Sequence, residues 1–260
     1  VAGFEIAVET TADDSATLRW NGALPPASLE QAVSAAADDA LIGRGLRRLE
    51  VTRPADDHAA RRALLRAGFR QEGIRRQAVA RPDGDHDDMI IYGRLAADQV
   101  RGPDGFSGVM NSALPRKRLI AHVVFRDRAG RVLLCQTTFK TDWELPGGIV
   151  EPFESPRDGA IREVREELGV DRTVGRLLAV DWLPPYLGWD DACELIFDGG
   201  TIEESELEGY VLEEREIVRV RLCTLDEAAE LLTEGAHRRL TAACTVGPGE
   251  TAYTEHGRRV

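Results

Sequence analysis

Residues 147–170 read GGIVEPFESPRDGAIREVREELGV, a stretch that collects groups able to do chemistry: two adjacent glycines, the isolated carboxylate Glu154, Arg162, and the glutamates Glu163, Glu166 and Glu167. On a helix, Glu163 with Glu166 and Glu163 with Glu167 are like-charge neighbours at i,i+3 and i,i+4. Each such pair destabilises by about 0.2–0.5 kcal/mol, and Arg162 and Arg165 offset this only in part. A divalent cation reverses the sign. Hard cations such as Mg²⁺ take carboxylate and carbonyl oxygens and keep several waters, so acidic residues behind a glycine turn suit a metal held beside a pyrophosphate. Without such a role, an acidic helix face is ordinarily just solvated.

These groups need a rigid helix, and the sequence supplies its signals. Ser155 is a good N-cap, Pro156 suits the first helical position, Asp158 completes an acidic capping box, and Gly169 is a good stop. At about 100° per residue, Ala160, Ile161, Val164 and Leu168 fall on one apolar arc, and Glu163, Glu166 and Glu167 fall on a separate one. Ahead of the glycines, Leu119–Phe125 and Val132–Gln136 read as paired strands joined by a turn at Asp127–Gly130. Behind the helix, Leu177–Trp182, Cys193–Phe197 and Ile217–Leu222 read as strands, and Leu225–Leu232 as a helix capped by Thr224 with Glu227. The loop LPPYLGWDD places Trp182, Tyr186 and Trp189 where a base could stack. From Ala236 the tail is expected to be polar and partly mobile.

The remainder of the chain is less chemically marked. In residues 1–96, alternation at Phe4, Ile6, Val8, Leu18 and Trp20 predicts strands, and Ser28 with Gln31 predicts the capped start of a helix carrying Leu29, Ala32, Val33, Ala36 and Leu41 inward. A strand over 46–51, a helix over 57–67 stopped by Gly68, and a hairpin of Phe69–Ala80 with Met89–Leu95 follow. Periodicity fades in residues 97–117, which are expected to be a linker between a domain of residues 1–96 and one of residues 118–260. The net charge of −12 argues against an extended nucleic acid held on a broad cationic surface. The four cysteines lie far apart with no CxxC pairing, which predicts free thiols in a reducing compartment. No apolar run approaches the roughly 18 residues of a membrane span, and no secretory layout opens the chain, so a soluble, cytoplasmic protein is expected.

The spacing of Gly148, Glu154, Arg162-Glu163, Val164, Glu166-Glu167 and Gly169-Val170 resembles the Nudix box at every defining position, and Trp143–Gly147 is similar to the run that enters it. The resemblance covers residues 118–235 and implies an α/β/α sandwich with a mixed sheet. It implies that Glu166, Glu167 and the carbonyl of Gly147 hold Mg²⁺ or Mn²⁺, and that Glu163 is a ligand or helps to deprotonate the attacking water. It further implies that Glu154 pairs with Arg162 to fix the loop, and that one of Glu213, Glu214 or Glu216 adds a further carboxylate. The implied activity is hydrolysis of a pyrophosphate bond in a nucleoside diphosphate linked to another moiety, such as ADP-ribose or a nucleoside triphosphate. The alternative is a nucleotide-sensing or partner-binding protein without turnover.

Residues 28–95 resemble the C-terminal half of the GNAT acetyltransferases, best at Ala67-Gly68-Phe69 followed by Glu72-Gly73. That likeness implies a small, partial α/β domain. The place of the family's glycine-rich cofactor loop is held by NGALPPAS, whose two prolines cannot donate, so this segment is expected to serve packing, homodimerisation or substrate positioning instead.

Overall fold

A computed structural model describes residues 3–11 and 14–260. The chain divides into two compact units, Val1–Pro115 and Arg116–Val260.

In the first unit the strands β1 (Glu5–Thr10), β2 (Ser15–Asn21), β3 (Arg48–Pro54), β4 (Arg70–Ala80) and β5 (His86–Leu95) form one sheet in the order β1-β2-β3-β5-β4. The helices α1 (Pro26–Asp38) and α2 (His58–Arg66) bury Leu29, Val33, Ala60 and Leu64 against Leu18, Leu49, Phe69 and Tyr92. This is the helix, strand, helix, hairpin order read from the sequence. Two details differ. The helix α1 begins before Ser28, with Pro25 as its N-cap and no side-chain cap, so Ser28 lies inside the helix and forms no capping box. Residues 97–117, expected to be a linker, contain a helix, α3 (Gly102–Ala113), with Val109 buried. Its glycines and two serines hide the helical period because they contribute almost no apolar signal.

In the second unit the main path of the sheet runs β12-β7-β6-β11-β10-β13-β14, where β6 is Arg118–Arg126, β7 Val132–Thr137, β10 Leu177–Leu183, β11 Ala192–Thr201, β12 Ile217–Cys223, β13 Ala252–Glu255 and β14 Arg258–Arg259. The sheet is mixed: β11 is parallel to β6 and β13 parallel to β10, while β10–β11 and β7–β12 are antiparallel. On one face, α4 (Pro156–Leu168) packs Ala160, Val164 and Leu168 onto Ala121, Val123 and Phe125. On the other, α5 (Leu225–Leu231) and α6 (Glu234–Cys244) pack onto Val124, Leu134 and Ile196. The arrangement is the expected sandwich. The tail differs from expectation: Glu234–Cys244 is a helix, and β13 and β14 extend the sheet beyond β10.

The strands β6 and β7, expected to pair along their length, pair only at Arg126 with Val132. They diverge from there, and the short strands β8 (Trp143–Glu144) and β9 (Gly147–Ile149) take up the freed edges, β8 on β7 and β9 on β6. The split carries the two glycines into the sheet directly in front of α4.

The caps of α4 form as predicted. Ser155 Oγ accepts from the N–H of Asp158 at 3.1 Å, and Gly169 ends the helix at φ +67°. A Cβ at Gly169 would lie 2.7 Å from the Val211 carbonyl oxygen. Gly169→Ala is therefore expected to lower stability by about 1–2 kcal/mol, read from a chemical-denaturation midpoint.

Candidate active site

The glycine turn is built by close backbone approach. Gly147 has φ +126° and faces His122 in the β6–β9 ladder, and a Cβ there would fall 2.2 Å from the Ala121 carbonyl oxygen. Gly148 faces Ala121, and a Cβ on it would meet Glu163 Oε2 at 2.8 Å. The missing side chains thus form a cradle into which α4 lowers its carboxylates.

Arg162 organises that cradle. Its Nε and Nη2 donate to Glu154 at 3.2 and 2.8 Å, Nη1 donates to Glu163 at 2.9 Å and to Glu166 at 2.8 Å, and Nη2 also donates to the Ile149 carbonyl at 3.0 Å. Glu154 in turn accepts from the Glu151 N–H at 2.6 Å, which closes the loop between β9 and α4. The contact with Arg162 holds the Glu154 carboxyl below its usual range. The three acidic partners raise Arg162 further above an already high value.

Glu167 behaves differently from its neighbours. It lies on the acidic arc but next to the apolar one, is only 7% exposed, and accepts the Gly147 N–H at 2.8 Å. Burial pushes its carboxyl up to about 8, against the opposing pull of that hydrogen bond and of His122. Burial also raises Glu163, an effect opposed by Arg162 and reinforced by Glu166 and Glu216. Of the three candidate loop glutamates, Glu216 thus acts on the cluster through its charge. Glu213, Glu214 and Glu216 are all exposed on that loop.

Among the described residues, no three His, Cys, Asp or Glu side chains are already gathered as a metal cage. Arg162 now neutralises Glu163 and Glu166, and Glu167 is bound to the turn. The donor set is nevertheless that of a hard divalent cation, namely carboxylate and carbonyl oxygens with no sulfur and with space left by Gly148. A buried carboxylate as strained as Glu167 is also one that a cation would relieve.

The three aromatic residues form the rim of the β10–β11 loop. Trp182, Tyr186 and Trp189 are 37%, 63% and 61% exposed. They are not equally free: Arg118 stacks on Trp189 at 4.5 Å, the Trp182 indole donates to Asp191 at 3.3 Å, and Tyr186 and Trp189 exchange backbone hydrogen bonds. The same strand that carries Arg118 pairs with the glycine turn at Ile120–His122, so the rim borders that end of the sheet.

The family model described as NUDIX domain matches residues 116–244. This chain carries a NUDIX domain. Over 65 residues the chain is 45% identical to the CTP pyrophosphohydrolase of Escherichia coli (strain K12), a match covering 24% of this chain and 47% of that protein. Over 132 residues it is 36% identical to the CMP-5'-(N-acetyl-N-hydroxy-3-aminopropyl)phosphonate hydrolase of Streptomyces rubellomurinus, covering 49% of this chain and 60% of the relative. The chain therefore spans about half the length of these curated relatives. A solved GNAT-family acetyltransferase from Bacillus anthracis is similar at 15% identity and a TM-score of 0.34, covering 36% of this chain and 59% of that one. Among the described residues, no helix is long and apolar enough to cross a membrane.

Sequence reasoning passed over His122, Asp181, Glu194 and Arg239 of the NUDIX domain, which are packed together. The signal was present: His122 and Glu194 interrupt the apolar strands LIAHVVF and CELIF, where an unpaired charge would be costly.

Proposed function

We propose that the NUDIX domain is a divalent-metal-dependent pyrophosphohydrolase acting on a nucleoside diphosphate linked to another moiety. One observation carries this reading: a glycine cradle faces three helix-borne carboxylates, of which a single arginine holds Glu163 and Glu166 in register with Glu154 of the loop, while the Gly147 N–H holds Glu167. Glu166, Glu167 and the Gly147 carbonyl hold the cation, Mg²⁺ or Mn²⁺, together with Glu163 where it serves as a ligand. The cation, when bound, offsets charge on the substrate phosphates. Glu163, half-buried and with its carboxyl raised, is placed to accept a proton from the attacking water. Glu154 and Arg162 hold the loop against α4, and Glu216 adds its charge from the loop ahead of β12. Trp182, Tyr186 and Trp189 offer stacking surface for the base.

The names of the two relatives point to cytidine nucleotides, which join ADP-ribose and the purine triphosphates as substrates to be tried. The experiment is release of phosphate or pyrophosphate from CTP, UTP, ATP and GTP, and of AMP and ribose 5-phosphate from ADP-ribose, by the full chain with Mg²⁺ or Mn²⁺. Turnover of one of them with either metal supports the reading. Tight nucleotide binding with no turnover would favour the non-catalytic sensor. The first unit, whose helix α1 opens with Pro25 and Pro26, supports packing, dimerisation or substrate positioning rather than acyl transfer. The four free cysteines suit a cytoplasmic setting.

Arg162 makes its contacts through a planar fork that lysine lacks. Arg162→Lys is expected to keep the fold and lower kcat/KM by at least about tenfold, measured on the best nucleotide of the panel.

A further inference from the structure

Four ionisable side chains that the acidic helix does not use are packed together in the second unit, three of them buried and Arg239 half-buried. Asp181 on β10, Glu194 on β11 and His122 on β6 lie on strands adjacent in the sheet, and Arg239 reaches them from α6. Alternation along β6 turns Ala121 and Val123 toward α4, and so turns His122, with Val124, toward α5 and α6. His122 Nδ1 lies 2.8 Å from Glu194 Oε1, Arg239 Nε lies 2.7 Å from Glu194 Oε2, and Arg239 Nη1 lies 3.8 Å from Asp181 Oδ2. Asp181 Oδ1 also accepts from Thr254 Oγ1 at 2.7 Å and from the Gly257 N–H at 2.9 Å. Asp181 and Glu194 are 0% and 1% exposed.

Packing alone does not call for this cluster, because well-packed apolar residues of similar volume are often as stable as a buried ionic group or more so. Its geometry has a direction. The Asp181 end anchors the β13–β14 hairpin, and the other end arrives at His122, which keeps 9% of its surface exposed. Glu194 engages Nδ1, so Nε2 is the ring nitrogen available to a ligand. Cδ2, the carbon bonded to Nε2, lies 3.0 Å from where a Cβ on Gly147 would be, so the free edge of the ring flanks the glycine turn on a side that no side chain of residue 147 covers.

We propose that His122 is a specificity-determining residue that hydrogen-bonds the nucleoside moiety of the substrate through Nε2, and that Glu194 and Arg239 are positioning residues that aim it. The proposal rests on the pyrophosphohydrolase reading, which puts the pyrophosphate at the Gly147 turn and its nucleoside within reach of the next rung of the sheet. Burial opposes a charge on His122, but Glu194 outweighs burial and raises the imidazole above its usual range, which strengthens their mutual grip. Glu194 is held at about 2 in the opposite sense: burial pushes it up, and Arg239 and His122 together overcome that.

The test uses the full chain with CTP, UTP, ATP and GTP in the presence of Mg²⁺. His122→Phe should raise KM for the preferred nucleotide roughly tenfold, narrow the spread of kcat/KM across the four, and leave kcat within about threefold. His122→Gln, which keeps a polar end, should recover part of the preference. Glu194→Gln should move KM in the same direction as His122→Phe by a smaller factor. A folded His122→Phe variant with unchanged KM and unchanged preference overturns the proposal. If that variant does not fold, the wild-type chain with ¹⁵N-labelled histidine decides: a shift of the His122 Nε2 resonance on nucleotide addition supports it, and no shift at saturation overturns it. The labelled titration also separates the two readings, since absence of turnover sinks the hydrolase assignment while the resonance still reports whether His122 meets a nucleotide.

Discussion

Glu167→Gln is expected to lower kcat by at least about 10²-fold while leaving the protein folded and no less stable. The two halves of this result come from one geometry. Glu167 is buried, and among the described residues its side chain accepts one hydrogen bond, from the Gly147 N–H. A glutamine carbonyl oxygen can accept the same bond, so the turn keeps its partner. The substitution also removes a carboxyl that burial has pushed up to about 8, so the interior loses a group that resists ionisation and gains a neutral one of the same shape. What goes with it is a hard anionic donor for the cation. Thermal melts without metal and kcat across a Mg²⁺ titration test the two halves separately. A folded variant with wild-type turnover removes Glu167 from the site. Glu166→Gln is the companion measurement, because the Glu166 side chain is 55% exposed and its loss tests the donor with little change in burial.

Gly147→Ala should be the most damaging single methyl in the second unit. Its φ of +126° is open to glycine and strained for any L side chain, and the new Cβ would lie 2.2 Å from the Ala121 carbonyl oxygen and 2.8 Å from His122 Cα. Both atoms are backbone of a central strand, so neither can move aside as a flexible side chain would. The expected cost is about 2–5 kcal/mol of stability together with loss of turnover. The adjacent glycine offers a control. A Cβ at Gly148 would meet only the carboxylate end of Glu163, which can swing away, so Gly148→Ala should stay close to wild type in melting temperature while losing activity. Equal melting temperatures for Gly147→Ala and the wild type would contradict the described turn.

The helix that carries the acidic residues was fully legible. Its cap, first-turn proline, apolar arc and terminal glycine are local signals that agree with one another, and α4 begins and ends where they place it. The pairing of Glu154 with Arg162 followed from the resemblance to the Nudix box. The fivefold grip of Arg162 did not, because contacts that depend on the depth of a turn are not written in spacing. The divergence of β6 from β7 was equally hidden. Two apolar runs flanking a tight turn look like a plain hairpin, and only the later arrival of β8 and β9 makes the opening favourable. The C-terminal strands were missed for a related reason. Strands as short as β13 and β14, four and two residues long, carry too little apolar signal of their own to be read and are held by β10, by α6 and by the buried Asp181.

The margins of the second sheet bear on how the molecule could associate with a copy of itself. One margin ends in β14, only the two residues Arg258 and Arg259, and the other in β12, which has a register irregularity between Ile217 and Arg219 and carries Arg219 and Arg221. A stub bearing two cations and an irregular, arginine-bearing strand are poor templates for the addition of another strand. Association of two copies through a continuous sheet of this unit is accordingly disfavoured, and a homodimer would have to be built on helices, loops or the first unit instead.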